Sequence, residues 1–339
     1  MKIALIYDEA TPGGEGLWVE AEYESPDTIE ALLEAIGRHC ERAVPVRLGP
    51  DTVEVLERER PDLAFNIAEG SEGPSRETLA PAMLDYLGIP YTASDGVTLG
   101  VSLNKAMTKR LARDLDIPTP EFRLFHSAQE AEAVAEELDY PLLVKPNYGG
   151  SSVGVGPASI VREPGELPGH VGCCICRYQQ PCLAEGYVDG FDVTVGLLGN
   201  DEPEVLPTGR VVAPGGMYSE MTKKLHEREI VCPYSLSEPL ERRLKDWTLA
   251  LYRAIGARDL ARVDYMMDTD GNAWMLEINP LPGLSPFYGV YPVLAEAAGY
   301  DYVGLIGRII DLALERSAAE ERTTDERLAT GTARRYQHR

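Results

Sequence analysis

The sequence predicts an α/β protein in which an open, mostly parallel β-sheet is followed by segments that are richer in strands. Strand and helix signals alternate over residues 2–92, as they do in parallel sheets whose strands are joined by helices. Residues 262–279 instead carry the pattern of two strands joined by a tight turn, which predicts an antiparallel hairpin. The 339 residues, 44% of them hydrophobic, are enough for two or three compact domains.

The chain is strongly acidic. It has 55 acidic and 32 basic residues and a formal net charge of −23, so nucleic acid and anionic membrane surfaces are unfavourable partners. No apolar run approaches the ~20 residues of a membrane span, and the N-terminus has strand character without an export signal. We therefore expect a cytoplasmic protein that acts without nucleic acid or a membrane.

Three of the six cysteines lie close together, at positions 173, 174 and 176. In a chain of this size without an export signal, they are most simply reduced thiols. A zinc site is the alternative, but the spacing lacks the paired CxxC motifs and the histidine partners of such sites. The sequence leaves their role open.

The N-terminal sheet is predicted from alternating elements. Its strands are expected at residues 2–7, 43–48, 63–67 and 90–92, and its helices at residues 25–38, 53–59 and 78–87. Ser25 is a suitable N-cap for the first helix, with Pro26 at the first helical position. Ligands of such sheets bind beyond the carboxyl ends of the strands. Two polar loops, residues 8–24 and 69–77, are expected at that edge, although a surface connection is the ordinary role of such a loop.

A glycine-rich loop follows the next helix and strand. Residues 102–115 are predicted to be helical, with Lys105 and Lys109 one turn apart, and lysines on a helix usually face solvent. A strand over residues 141–146 brings Lys145 to the start of the loop, which contains Ser151 and Ser152. Such a loop can fold over phosphates, although it lacks the GK[ST] run of a Walker A motif and joins strand to strand. A long hairpin turn is the alternative.

The next segments offer the groups that a nucleotide requires. A purine needs an apolar slot and a backbone edge, and a ribose needs a carboxylate. Four residues near two predicted strands could supply them, though each could also be structural: Glu185, Tyr187, Val188 and Asp192. A polar stretch then contains Lys223 and Lys224, and helices are predicted over residues 238–256 and 292–315. From residue 316 the charged tail lacks apolar periodicity and is expected to be disordered.

The predicted hairpin brings opposite charges to one face. Closing the turn at residues 268–271 symmetrically places Arg262 opposite Glu277 and Asp264 opposite Met275. The period of two then sends one set of side chains to the polar face, namely Arg262, Asp264, Met275, Glu277 and Asn279. The other set is expected in the core: Val263, Tyr265, Trp274, Leu276 and Ile278.

The acidic residues of this hairpin suggest a metal site. Asp264 and Glu277 would be diagonal neighbours, roughly 7–8 Å apart at the backbone. Two carboxylates that converge in this way require a cation, and with the amide oxygen of Asn279 they form a hard-oxygen set suited to Mg²⁺. The alternative is the solvated face of an ordinary hairpin.

Four motifs in this order resemble the ATP-grasp superfamily and, within it, the D-alanine:D-alanine ligase family. They are LGIPYT…LNKAMTKRL, KP…GGSSVGV, AEGYVDGFDVTV and RVDYMMDTDGNAWMLEINPLPG. The resemblance implies an ATP-grasp fold with a Rossmann-like domain at residues 1–97, a central domain at 98–188 and a C-terminal domain at 189–315, before the tail at 316–339. It also implies that a carboxylate is phosphorylated by ATP and that an amine attacks the acyl phosphate to give an amide.

The resemblance assigns roles to individual residues. Those implied to contact ATP are Lys105, Lys145, Ser151, Ser152, Glu185, Tyr187, Val188, Asp192 and Lys223. Asp264, Glu277 and Asn279 are implied to hold Mg²⁺, with Mn²⁺ as an alternative, which agrees with the hairpin argument. Arg262 is implied to stabilise the tetrahedral oxyanion, and Ser151 to lie in the loop that closes over the site. Small amino-acid substrates and a homodimer are implied as well.

The substrate-binding motifs depart from the family pattern. No histidine follows the first strand, and Glu15, Glu22 or Glu24 could take the place of the glutamate that contacts the first substrate. Lys224 stands where the family has a tyrosine. The remaining substrate-binding candidates are Glu69, Arg76, Gly283 and Ser285. We expect conserved nucleotide chemistry with altered substrate recognition.

Three alternative functions are open to a chain with these motifs. An amino-acid ligase of specialised metabolism would use a substrate other than D-alanine. A nucleotide-binding regulator without turnover would have no use for the arginine at position 262. A dinucleotide-dependent oxidoreductase is disfavoured because no GxGxxG motif follows the first strand.

Overall fold

The computed structural model describes residues 1–9, 18–71, 73–216, 219–225 and 227–329, and this part of the chain contains three separate β-sheets. One sheet is parallel and the other two are antiparallel. Over these same ranges, no helix combines the length and the apolar character needed to cross a membrane.

The first sheet is parallel, with its strands in the order β2, β1, β3. Its elements are β1 (Lys2–Tyr7), α1 (Pro26–Gly37), β2 (Arg42–Arg47), α2 (Thr52–Glu59), β3 (Leu63–Asn66) and α3 (Leu79–Leu87). The hydroxyl of Ser25 accepts a hydrogen bond from the Thr28 amide at 3.2 Å, so the expected cap begins α1. The short strand expected at residues 90–92 is reduced to a single bridge between Tyr91 and Ala64.

Two helices replace the single helix that was expected at residues 102–115. They are α4 (Gly96–Leu103) and α5 (Lys105–Asp114). Asn104 interrupts them because its backbone is extended and its side-chain oxygen accepts the amide of Met107 at 3.1 Å, which makes it the N-cap of α5. The break places Lys105 at the first position of α5.

The second sheet is antiparallel, with the strand order β4, β7, β5, β6. Its elements are β4 (Phe122–Phe125), α6 (Ala128–Glu132), β5 (Leu142–Pro146), β6 (Ile160–Val161), α7 (Leu167–Tyr178) and β7 (Cys182–Gly186). The cysteines at positions 173, 174 and 176 lie on α7, and all six thiols of the chain are free. Among the described residues, no group of metal-ligating side chains occurs at this helix.

The third sheet contains six strands and carries the predicted hairpin. Its elements are β8 (Gly190–Leu198), β9 (Glu204–Val205), β10 (Gly209–Val212), α8 (Glu220–Lys224), β11 (Glu229–Val231), α9 (Glu238–Ile255), β12 (Leu260–Asp268) and β13 (Ala273–Asn279). The order is β11, β10, β8, β12, β13, with β9 paired to β8. Helix α9 packs on this sheet through Leu244, Leu251 and Tyr252, which share a core with Val263 and Tyr265.

The end of the described chain returns to the first sheet. Helices α10 (Val290–Ala297) and α11 (Tyr302–Ala329) replace the single helix expected at residues 292–315. Ile306, Ile309 and Ile310 of α11 lie in one hydrophobic core with Leu32 and Ile36 of α1. The charged part of α11 from residue 316 is therefore anchored by the apolar residues that precede it on the same helix.

The expected disorder from residue 316 is wrong for the part of the tail that the structure describes, because α11 continues to Ala329. The guanidinium of Arg316 donates to the Asp259 carboxylate at 3.1 Å and to the Tyr91 carbonyl at 2.7 Å. Asp259 is fully buried, and burial raises its pKa. This contact fixes the helix at the residue where disorder was expected to begin.

Replacing Arg316 should destabilise the protein. Arg316→Met leaves the Asp259 carboxylate buried without its cation, which costs about 3–5 kcal/mol. The free energy of unfolding in urea would measure this loss. Arg308→Met is the matched control on the same helix, because Arg308 forms an exposed pair with Glu315 at 2.8 Å that is worth about 0–1 kcal/mol. Equal losses in the two variants would contradict the structural role of Arg316.

Candidate functional site

A cleft of about 1050 Å³ lies between the three sheets and is lined by residues from each part of the chain. The loops that follow β1 and β3 meet at one edge of it, as the parallel sheet predicts. Asp8 accepts the amides of Glu69 and Gly70 at 2.6 and 3.0 Å, and the hydroxyl of Tyr23 donates to the Gly70 carbonyl at 3.3 Å. These contacts bring the two loops together beside the cleft.

The register of the hairpin differs from the prediction. Asp264 pairs directly with Glu277, whereas Tyr265 pairs with Met275, so Leu276 is an extra residue in a β-bulge. The bulge reverses the direction of the side chains that precede it on β13. Met275 is therefore fully buried in the core and Leu276 lines the cleft, opposite to the expected positions of both.

The bulge places the acidic groups of the hairpin side by side. Arg262 donates from Nε and Nη2 to the two carboxylate oxygens of Asp264, each at 2.9 Å. Asn279 donates to the same carboxylate at 3.2 Å. Glu277 accepts from the ammonium of Lys105 at 2.5 Å. Each of the two acidic residues thus lies beside a cation.

A third carboxylate, that of Asp192 on β8, adds to the negative charge. Burial and the nearby carboxylates of Asp264 and Glu277 raise the pKa of Asp192 to about 7. Burial would also raise the pKa of Glu277, but Lys105 outweighs it and holds that pKa at about 2. The carboxylate oxygens of Asp264 and Glu277, with the amide of Asn279, are a donor set that fits a hard divalent cation.

The glycine-rich loop between β5 and β6 lies over this acidic group. Its carbonyl at Gly149 accepts from Lys105 at 2.5 Å, and Ser151 accepts from Lys223 at 2.8 Å. Ser151 and Ser152 both have φ near +55°, in the left-handed region. Burial and the neighbouring Arg262 lower the pKa of Lys223 to about 8. The loop therefore presents its hydroxyls beside a desolvated lysine.

The residues predicted to form a nucleotide slot line one end of the cleft. These are Glu185, Tyr187, Val188 and Asp192, together with the apolar side chains of Leu143, Met266 and Leu276. Glu185 is almost fully buried and forms an ion pair with Lys145. The assignment of these residues to ATP stays a prediction.

Lys109 is a site residue that the sequence analysis missed. It is fully buried, and its ammonium lies 2.7 Å from Glu185, 2.8 Å from the Thr119 hydroxyl and 3.4 Å from the Met275 carbonyl. Burial lowers the pKa of Lys109 to about 8. The available signal is its position on the same face of α5 as Lys105, a spacing that is also usual for lysines that face solvent.

The opposite end of the cleft contains a buried acidic cluster around Arg76. The guanidinium forms ion pairs with Glu22 and, at 2.9 Å, with Glu77, and it lies 3.9 Å from Glu69. Burial is the main cause of the raised pKa of Glu69 and of Glu77, the latter to about 7. Glu22, Glu69 and Glu77 line the cleft, but Arg76 does not, because it is enclosed by these carboxylates.

One of the remaining substrate candidates lines the cleft and another does not. Gly283 lines the cleft, whereas Ser285 is fully buried and accepts from the Thr28 hydroxyl at 2.9 Å. Ser285 is thus committed to the contact with α1. Glu15 lies outside the described residues, and so does the side chain of Lys224, the last residue of α8.

Comparison with known proteins identifies a family. Residues 111–311 match the model of the D-Ala D-Ala ligase C-terminus. The uncharacterized protein y4sG of Sinorhizobium fredii is 37% identical over 259 residues, or 75% of each chain. The D-alanine–D-alanine ligase of Pelotomaculum thermopropionicum is 30% identical over 304 residues, covering 87% of this chain and 93% of the relative. The ATP complex of D-alanine–D-alanine ligase from Bacillus anthracis has a TM-score of 0.73 at 23% identity and covers 94% and 99% of the two chains.

The buried pair of Lys109 and Glu185 should make stability dependent on pH. Burial opposes ionisation of Glu185, but Lys109 and Lys145 outweigh it and lower its pKa from 4.5 to about 2. The stability contributed by the pair is therefore present above pH 4.5 and is lost as the pH falls towards 2. Lys109→Met should reduce the free energy of unfolding by about 3–5 kcal/mol at pH 7, and by less at pH 3.

Urea unfolding at the two pH values measures this effect. Arg110→Met is the control on the exposed face of the same helix, and it should change stability by less than about 0.5 kcal/mol. A loss in Lys109→Met that is the same at pH 3 and pH 7 would argue against the ion pair as its cause.

Proposed function

Since this chain belongs to the D-alanine–D-alanine ligase family of ATP-grasp enzymes, we propose that it joins two molecules of D-alanine into D-alanyl-D-alanine, the dipeptide used in peptidoglycan synthesis. As a family member it is an ATP-grasp ligase that forms a carbon–nitrogen bond. The observation that supports turnover in this chain is the group of Arg262, Asp264, Glu277 and Asn279 in one cleft with three lysines. The identity of the amino acids is the proposed part.

The lysines and acidic residues suit phosphoryl transfer. Lys105 and Lys223 donate to the glycine-rich loop, and Lys145 pairs with Glu185. All three lysines would neutralise the negative charge of the phosphates. Asp264, Glu277 and Asn279 would hold Mg²⁺, or Mn²⁺ in its place. The metal would supply charge neutralisation at the phosphate oxygens.

Arg262 is suited to the amide-forming step. Its guanidinium is oriented by the paired contacts to Asp264, and it lines the cleft near Lys223. A fixed cation in this position stabilises the oxyanion that develops when an amine attacks an activated carboxyl group. A protein that only binds nucleotide has no need of such a donor, which favours the ligase over the inactive alternative.

The glycine-rich loop is suited to excluding water during the reaction. Its amides at Gly150 and Gly154 donate to Glu22 at 3.0 Å and to Glu220 at 2.8 Å, so the loop contacts both the first and the third part of the chain. A covered site protects an activated carboxyl group from hydrolysis. We propose Glu22, which accepts the Gly150 amide of this loop, as the partner of a substrate ammonium. We also propose that the protein assembles as a homodimer.

The substrate proposal is tested by product formation. Purified protein with ATP and Mg²⁺ should release phosphate in the presence of D-alanine, with D-alanyl-D-alanine identified by mass spectrometry. A panel of other D- and L-amino acids and their pairs, run in parallel, serves as the control. Turnover with another pair and none with D-alanine would overturn the proposed substrate and identify a different dipeptide ligase.

Removing one proposed metal ligand should abolish most of the activity. Glu277→Gln removes a carboxylate that would hold the metal, and the metal stabilises the transition state by several kcal/mol. The kcat should therefore fall by roughly two to three orders of magnitude. Steady-state ADP release measures this change, and a melting curve checks the fold. Glu229→Gln, at an exposed carboxylate on β11, is the control and should retain normal activity. Near-normal turnover in Glu277→Gln would contradict the metal assignment.

A further inference from the structure

The loop over residues 280–289 forms one wall of the cleft and follows directly after Glu277 and Asn279 on β13. Its Tyr288 reaches across to the N-terminus of α1. The hydroxyl of Tyr288 lies 2.9 Å from the Glu24 carboxylate, 3.1 Å from the Ser25 amide and 3.2 Å from the Thr28 hydroxyl. A single phenol thus connects the loop to the first part of the chain.

Glu24 holds the same loop at a second point. One of its carboxylate oxygens accepts from Tyr288, and the other accepts from the Leu284 amide at 3.0 Å. A methyl group in place of the Gly283 hydrogen would approach the Glu24 carboxylate to 3.1 Å, so the loop and the carboxylate are closely packed. One acidic side chain therefore fixes both the beginning and the end of the turn at residues 284–288.

The backbone of Tyr288 is bound from a third direction. Its carbonyl accepts a hydrogen bond from the guanidinium of Arg228, which lies between α8 and β11. Lys223, on α8 itself, and Arg228 both line the cleft. Tyr288 therefore joins its own loop to Glu24 and Ser25 on one side and to Arg228 on the other, and all of these residues line the cleft.

We propose that Tyr288 and Glu24 are a positioning pair that sets the shape of the amino-acid end of the cleft. Tyr288 and Glu24 bind the N-terminus of α1 and the Leu284 amide, whereas Lys145 and Glu185 pair with each other at the proposed nucleotide end. Glu24 is distinguished from Glu22, whose carboxylate instead binds Arg76 and the amide of Gly150. The pair therefore determines the affinity for the amino acid and leaves the ATP end unchanged. This inference rests on the proposed function for its kinetic part only.

The kinetic test removes the hydroxyl group alone. Tyr288→Phe loses hydrogen bonds to a carboxylate, and the KM for D-alanine should rise about tenfold. The KM for ATP and kcat should stay within about twofold of the wild-type values. Tyr300→Phe is the matched control, because the Tyr300 hydroxyl donates to a glutamate at 2.8 Å on an exposed surface away from the cleft. An equal rise in both KM values, or none, would overturn the proposal.

A second measurement does not depend on activity. Glu24→Ala removes the acceptor of the Leu284 amide, so hydrogen exchange in a peptide spanning residues 283–289 should become at least tenfold faster while exchange in β8 is unchanged. Unchanged exchange in the loop would overturn the positioning role. If the wild-type protein fails to ligate D-alanine, the proposed substrate is wrong, and this exchange measurement still decides whether the pair holds the loop.

Discussion

The arrangement of the cleft depends on how buried carboxylates are balanced by cations. Three carboxylates each lie beside a cation. Asp264 pairs with Arg262 on the same strand, whereas Glu277 and Glu185 pair with lysines of α5. Ionised carboxylates in a low-dielectric site are stable only with such partners. Helix α5 supplies two of the lysines one turn apart, so a single helix sets the charge at both the acidic hairpin and the proposed nucleotide slot.

The same balance of charge depends on the register between β12 and β13. The bulge at Leu276 brings the Asp264 and Glu277 positions directly opposite each other and still leaves Met275 in the core. The Met275 carbonyl then accepts from the Thr119 hydroxyl at 2.8 Å and lies near the Lys109 ammonium. Packing of the core and placement of charge are thus achieved by one irregularity in one strand.

Much of the fold was predictable because it follows from local signals. The alternation of strands and helices predicted the parallel sheet, and the four motifs predicted the ATP-grasp family that the comparisons confirm. The hairpin register was not predictable, since a bulge depends on contacts with Pro118 and Thr119 that are distant in sequence. The burial of Lys109 and Ser285 was not predictable for the same reason: it depends on contacts with β7 and α1, which sequence spacing does not bring together.

The return of α11 to the first sheet has a consequence for the order in which the protein can fold. The apolar residues of β1 and α1 share their core with Leu294, Ile306 and Ile310, which are synthesised about 260 to 310 residues later. Contacts this far apart in sequence close slowly. During synthesis on the ribosome, the first sheet therefore exposes one apolar face until the residues of α10 and α11 that cover it have emerged.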